Sequence, residues 1–126
     1  FADLMLDAPR DRKIFSAVDA LMYSSFSLGA HGAIAAILTA APHACVELWN
    51  AVNVMGDRQK ALTLHARLLR LWNAMIDDNL PANTKFAQRI QGVEAGYPRA
   101  PMPPASEAQQ AAVRKALQGL EVPLVG

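Results

Sequence analysis

KIFSAVDALMYSSFSLGAHGAIAAIL, residues 13–38, is the stretch that decides the fold. Lys13–Ala17 follows a charged loop and is mostly apolar, and Gly32–Leu38 holds a second apolar run, so both are predicted to be buried strands. Apolar residues between them recur at helical spacing, and Gly29 is well placed to end that helix. A strand, a helix and a strand predict a βαβ unit, in which a right-handed crossover joins two parallel strands.

The rest of the chain is predicted to be helical. Apolar stripes indicate one helix over Pro42–Met55 and a longer one over Arg58–Asp77. Pro81 suits the first turn of a third helix, whose apolar side includes Val93 and which Gly96 is predicted to end.

Other local signals complete the prediction of secondary structure. Phe1–Leu6 is typical of a short helix, and Asp19 suits the cap of the helix that follows it. Four prolines make Tyr97–Ala105 an extended linker. Ser106 and Gln109 have the spacing of a capping box, which predicts a final helix.

Composition narrows the classes of function. The 126 residues include 12 Lys and Arg against 11 Asp and Glu, a balance that argues against nucleic acid or an anionic membrane as partner. The most apolar stretch, Gly32–Pro42, is too short to span a bilayer. Cys45 is the only cysteine, so no internal disulfide forms, which is compatible with a cytoplasmic location.

The predicted sheet is too small to stand by itself. Parallel sheets are normally covered on both faces, and two parallel strands do not make a stable one. The chain is therefore predicted to be the end of a larger structure. Nothing in the sequence repeats internally.

The order and spacing of several short motifs resemble one family over nearly the whole chain. They are Ser16-Ala17-Val18-Asp19, Leu28–Ile34, Gly56-Asp57, Pro81–Ala87 and Arg99–Pro103. The family is that of dihydrodipicolinate synthase and N-acetylneuraminate lyase. The resemblance implies an α/β fold, the C-terminal part of a (β/α)8 TIM barrel with its last two parallel strands, followed by a small α-helical domain. Residues 1–55 would hold the barrel units and 56–126 the helical domain, in a chain that is itself mostly α.

The resemblance also implies a chemistry. Family members form a Schiff base between a lysine and pyruvate or a related 2-oxo acid, with a tyrosine as proton relay and no metal or organic cofactor, commonly as homotetramers. None of Lys13, Lys60, Lys85 and Lys115 stands at the Schiff-base position, and neither Tyr23 nor Tyr97 at the relay. Both catalytic residues are therefore expected upstream of Phe1, and the segment alone is expected to be inactive.

The resemblance leaves three candidate substrate-binding residues, Ala17, Ile34 and Ala36, at the carboxyl ends of the two strands. In sialic-acid lyases Ala36 and Ala20 correspond to a serine and a glutamate, and Thr39 to an asparagine. A polyol tail would find no side-chain partner at these alanines, which argues against a sialic-acid lyase. A smaller or less polar 2-oxo acid is favoured, and simple packing of the alanines is an equally weighted alternative.

The remaining reactive residue types are interpreted as structural. Asp19 is more readily a cap than a substrate ligand. His31, His43 and His65 lack metal-ligand spacing, and Cys45 has no activating partner. An alternative function stays open, in which the chain is a stand-alone helical structural or interaction module without catalysis.

Overall fold

The computed structural model describes residues 1–125, and these are mostly helical with two short parallel strands. The elements are α1 (Ala2–Asp7), β1 (Phe15–Ser16), a 3-10 turn (Asp19–Leu21), α2 (Met22–Ser27), β2 (Gly32–Ala33), α3 (Ile37–Ala40), α4 (Pro42–Asn53), α5 (Arg58–Met75), α6 (Leu80–Arg89) and α7 (Glu107–Gly119).

The predicted βαβ unit is confirmed. Strands β1 and β2 run parallel, with Phe15 opposite Gly32 and Ser16 opposite Ala33, and α2 lies in the connection between them. Backbone hydrogen bonds extend the pairing at both ends, because His31 N donates to Ile14 O at 2.8 Å and Ile34 N donates to Ser16 O at 2.8 Å.

Both strands are much shorter than predicted. The sequence predicted strands over Lys13–Ala17 and Gly32–Leu38, and the second prediction is wrong from Ala36 onward, where the backbone is helical (φ −65°, ψ −37°) and leads into α3. Each strand has only one neighbour within residues 1–125, so few ladder bonds hold it extended. An alanine-rich run is also a good helix former, and a helix satisfies its own backbone groups.

Gly29 ends α2 as predicted, and its backbone shows why a glycine is needed. Its φ is +94°, a conformation that side chains disfavour. Gly29 N donates to Phe26 O and Ala30 N donates to Ser25 O, both at 2.9 Å, which is the Schellman pattern. The turn sends the chain back toward β2.

The predicted helix starts are confirmed in the C-terminal half. The carboxylate of Asp57 accepts a hydrogen bond from Lys60 N at 2.9 Å at the start of α5. Pro81 lies in the first turn of α6. Ser106 and Gln109 form the reciprocal capping box that begins α7.

The predicted end of α6 is wrong. The helix ends at Arg89, and Gly92, with φ +84°, turns the chain away several residues before Gly96. Val93 therefore lies outside the helix and is exposed. Gly96 also has a positive φ, but it lies in the loop that follows.

One buried cluster unites α2 to α7. Its fully buried large side chains include Met22, Ile37, Leu48, Leu71, Met75 and Leu117, contributed by five helices. Helix α5 packs along both α4 and α7 and so lies at the centre of the helical part. The division into residues 1–55 and 56–126 stays a prediction.

Candidate functional site

The two faces of the sheet differ in what covers them. Side chains alternate along a strand, so Ser16 and Phe15 point to opposite faces. Ser16 is buried against α2, where its Oγ donates to Ser25 Oγ at 2.9 Å. On the opposite face Phe15 is 50% exposed and Ile34 is 72% exposed. Because both large apolar side chains of this second face are exposed, we call it the open face.

The carboxyl ends of β1 and β2 meet at one edge of the sheet. Ala17 and Val18 follow β1, and Ile34 and Ala36 follow β2. We call these four residues the strand-end wall. Val18 and Ala17 are exposed and Ala36 is partly buried. Of the three residues predicted to bind substrate, Ala17 and Ile34 lie at neighbouring strand ends, whereas Ala36 lies in the turn that begins α3. None of the four wall residues carries a polar side chain.

A hydrogen bond of Asp19 links the segment after β1 to the segment after β2. Its Oδ1 accepts a hydrogen bond from Ile37 N at 2.7 Å, the first residue of α3, across 18 positions of sequence. The prediction that Asp19 caps the helix that follows it is wrong, because neither the 3-10 turn nor α2 has a side-chain cap. The cap bond goes to α3 instead and holds the turn that contains Ala36.

Loss of this cap is expected to be measurable. Asp19→Ala should lower the free energy of unfolding by about 0.5–2 kcal/mol, whereas Asp19→Asn, which keeps an acceptor oxygen, should lose only a few tenths. Chemical denaturation followed by circular dichroism measures both variants. Equal losses for the two would contradict a capping role.

Nearby hydroxyl groups are also used inside the protein. Thr39, at the position of a lyase asparagine by the resemblance, donates its Oγ1 proton to Ala36 O at 2.8 Å. Ser16 is held by Ser25 on the covered side of the sheet. The strand ends therefore present apolar side chains, while the polar groups beside them bond to their own chain.

Two of the three histidines contact other groups of the chain. His31 Nδ1 accepts a hydrogen bond from Ile14 N at 3.1 Å, and His65 stacks on Tyr23 with ring centroids 5.5 Å apart. His43 lies exposed at the start of α4. Within residues 1–125 no group of three His, Cys, Asp or Glu side chains gathers as metal ligands would.

Cys45 is a buried residue of α4, as predicted. Burial raises the pKa of its thiol from 9.0 to about 12, and the nearby Asp19 carboxylate adds to the increase. A thiolate is therefore nearly absent at neutral pH in the folded chain.

This burial predicts slow alkylation. At pH 8 iodoacetamide should modify Cys45 at least about tenfold more slowly in the folded chain than in the chain unfolded by urea, where the pKa is ordinary. Because the folded pKa is the higher one, this group stabilises the fold below about pH 9, and that contribution declines as the pH rises toward 12. Mass spectrometry of timed samples measures the rates. Comparable rates in the two states would show that Cys45 is accessible.

The lysines have ordinary surroundings. Lys85 donates from Nζ to Tyr97 O at 3.0 Å, on the helical side of the chain. Lys13, Lys60 and Lys115 are exposed.

No helix within residues 1–125 is long and apolar enough to cross a membrane.

A parallel βαβ unit with an exposed apolar sheet face, followed by a series of helices, is the pattern of parallel α/β proteins. The model of the dihydrodipicolinate synthetase family matches residues 2–120. The chain belongs to this family.

Relatives with assigned activities agree with this membership. The chain is 31% identical over 121 residues to the 4-hydroxy-tetrahydrodipicolinate synthase of Archaeoglobus fulgidus, which covers 96% of the chain and 42% of that protein. It is also 40% identical over 90 residues to the 4-hydroxy-tetrahydrodipicolinate synthase of Phenylobacterium zucineum. That match covers 71% of the chain and 30% of the relative. The chain thus spans about two fifths or less of the length of these curated relatives.

Solved structures show the same correspondence. Dihydrodipicolinate synthase from Aquifex aeolicus matches 99% of the chain and 42% of that structure, with a TM-score of 0.82 and 25% identity. N-acetylneuraminate lyase from Fusobacterium nucleatum matches 86% of the chain and 37% of that structure, with a TM-score of 0.73 and 22% identity. The second match concerns the fold alone. The chain therefore has the fold of part of a family of TIM-barrel proteins.

Proposed function

We propose that this chain supplies the last two strands and the C-terminal helices of a Schiff-base aldolase, lyase or synthase that acts on pyruvate or a related 2-oxo acid. The open face carries the proposal. Phe15 and Ile34 present large apolar groups to solvent on a parallel strand pair, and parallel sheets are normally covered on both faces. Inside a barrel this face would meet the side chains of the other strands.

The proposed reaction uses residues outside the 126. A lysine amine adds to the C2 carbonyl carbon of pyruvate, and loss of water forms a C=N bond. Loss of a C3 proton gives an enamine, whose C3 attacks an aldehyde carbon. A C–C bond forms while the carbonyl electron pair moves to oxygen and takes up a proton. Water then adds to the C=N carbon and releases the amine. No metal or organic cofactor is needed for these steps.

The strand-end wall follows the carboxyl ends of the two strands, which supports the proposal. Active sites of TIM barrels lie at the carboxyl ends of the strands. By resemblance, the carbonyl of Ile34 would lie beside the Schiff-base lysine, and Ala17 and Ala36 would face the substrate. Asp19 would hold these positions through its bond to Ile37 N. We further propose a cytoplasmic enzyme that assembles as a homo-oligomer, with a barrel part in residues 1–55 and a helical domain in 56–126.

Trapping with pyruvate tests the proposal. The full-length natural protein is incubated with pyruvate and sodium borohydride, which reduces the C=N bond to a stable amine, and intact-mass spectrometry counts the adducts. One reduced pyruvate per polypeptide is expected, on a lysine outside residues 1–126. The 126-residue chain treated alone is the matched control and should gain none. Absence of an adduct on the full-length protein would contradict the proposal.

The alternative of a stand-alone helical module is supported by one observation, the continuous buried cluster from α2 to α7. Such a module would have to tolerate the open face in water. Sedimentation velocity of the 126-residue chain distinguishes the two. A chain that stays monomeric favours the module, and self-association favours a barrel segment.

A further inference from the structure

We infer that the cleft between α5 and α7 is a binding site for a small organic phosphate. Three cationic side chains hold the phosphate group, and small side chains between the two helices contact the apolar part of the ligand. This site goes beyond the proposed function, and binding to it is measured without any turnover of substrate. The observation behind it is a local excess of positive charge in the cleft.

The cleft has the size of a small-molecule site. Its volume is about 430 Å³, within the range of about 300–1,000 Å³ that is usual for such sites. All of its lining residues belong to α5 and α7, which pack along each other. On α5 the lining residues Arg67, Arg70 and Ala74 recur at intervals of three and four positions, so one side of this helix faces the cleft.

The charged residues of the cleft are all cationic. They are Arg67 and Arg70 on α5 and Lys115 on α7, and among residues 1–125 no Asp or Glu lines the cleft. The whole chain has 12 Lys and Arg against 11 Asp and Glu, so this excess of positive charge is local. Within the described part of the chain, neither Arg70 nor Lys115 forms a hydrogen bond or an ion pair with another side chain. Both are therefore available to a bound anion.

Arg67 has an acidic partner at the edge of the cleft. Its Nη1 donates to Glu121 Oε2 at 3.3 Å. The Glu121 side chain is 78% exposed, and exposed ion pairs of this kind contribute little to stability. An anion in the cleft would therefore compete with Glu121 for the Arg67 guanidinium at little cost to the fold.

Small residues line the rest of the cleft. They are Ala74 on α5 and Ala112, Ala116 and Gly119 on α7. These residues offer no side-chain donor or acceptor, and they leave room for an aliphatic or aromatic group. Contact with such a group removes apolar surface from water and so adds to the affinity.

A phosphate monoester suits these cations better than a carboxylate does. It carries close to two negative charges at neutral pH and has three terminal oxygens, so it can accept hydrogen bonds from side chains of both helices. A carboxylate has one charge and two oxygens, which a single guanidinium can satisfy. The cleft therefore favours a phosphate group joined to an apolar body.

Titration of phenyl phosphate into the full-length protein tests the site. Isothermal titration calorimetry at low salt should give a Kd of about 1 mM or less. Benzoate lacks the phosphate and inorganic phosphate lacks the phenyl group, and each should bind about tenfold or more weakly. Absence of phenyl phosphate binding would overturn the inference, and so would equally tight binding of either matched ligand.

Variants show whether the cleft is responsible. Arg70→Gln with Lys115→Gln removes two exposed cations from the cleft and should weaken phenyl phosphate binding about tenfold or more. Lys13→Gln with Lys60→Gln is the matched control, because it removes the same charge from exposed residues that do not line the cleft. The control pair should change Kd by less than about twofold. Equal effects of the two pairs would show that net charge alone attracts the phosphate, which overturns the inference.

Glu121→Gln tests the site in the opposite direction. This substitution removes the carboxylate that competes for Arg67, so phenyl phosphate should bind about two- to fivefold more tightly. A general loss of structure would weaken binding, so tighter binding cannot come from damage to the fold. Unchanged or weaker binding would show that Arg67 does not hold the ligand, and it would overturn the inference.

Discussion

Ile37→Ala is expected to lower the free energy of unfolding of the 126-residue chain by about 2–5 kcal/mol. Ile37 is 0% exposed and belongs to the buried cluster, so its removal leaves a cavity among packed side chains. The backbone N–H of Ile37 also donates to Asp19 Oδ1, and the substitution leaves this hydrogen bond in place. The loss of unfolding free energy therefore measures side-chain packing.

Ile34→Ala is the matched control, three residues earlier in the same run. Ile34 is 72% exposed on the open face, so the same change in the 126-residue chain should alter the unfolding free energy by less than about 0.5 kcal/mol. In the full-length protein the proposed barrel would cover Ile34, and the loss should then rise toward that of Ile37→Ala. Urea denaturation measures all four values. A large loss for Ile34→Ala in the short chain would contradict the open face.

Self-association of the 126-residue chain is the second large effect expected. The open face and the wall place several large apolar side chains in water close together, among them Phe15, Val18 and Ile34. Exposed apolar patches of this kind drive association. Sedimentation velocity at increasing concentration should show reversible oligomers or aggregates.

Charges placed on this surface should suppress the association. The double substitution Val18→Lys with Ile34→Lys adds two positive charges to each copy of the chain, and these charges repel when two copies associate through this surface. The dissociation constant for self-association should rise more than tenfold, or about 1.4 kcal/mol. Val46→Lys with Val54→Lys is the control, because both valines are exposed on or just after α4 and belong to neither the open face nor the strand-end wall. Equal effects of the two pairs would show that association depends on neither the open face nor the strand-end wall.

The features that the sequence predicts well have local causes. Gly29 ends α2 because a positive φ favours glycine, and the Ser106–Gln109 box depends on residues three positions apart. Asp57 and Pro81 mark helix starts for the same kind of reason. In each case the residues that determine the structure lie within one turn of chain.

The errors come from long-range effects. Ala36–Leu38 is as apolar as a buried strand, and periodicity cannot tell such a strand from a short helix. The bond from Asp19 to Ile37 N spans 18 positions, so no local pattern predicts it. Val93 fits the stripe of α6, yet Gly92 has already turned the chain.

The sequence predicts the candidate site only in part. Alternation along the strand indicates that Phe15 and Ser16 face opposite ways, but the sequence does not tell which face is open. The Ser16–Ser25 pair, a buried serine facing a buried serine, was not predicted. Assignment of Ala17, Ile34 and Ala36 to a substrate site depended on the family resemblance, because aliphatic side chains carry no chemical signature of their own.

Oxidative footprinting of Phe15 tests most directly the claim that the open face belongs inside a barrel. Hydroxyl radicals oxidise exposed side chains, and peptide mass spectrometry locates the products without any substitution. Phe15 should be oxidised readily in the 126-residue chain and at least about tenfold less in the full-length protein, where barrel interiors are filled by side chains. Tyr97, 70% exposed in the linker, is the internal reference. Equal oxidation of Phe15 in the two proteins, relative to Tyr97, would contradict the account.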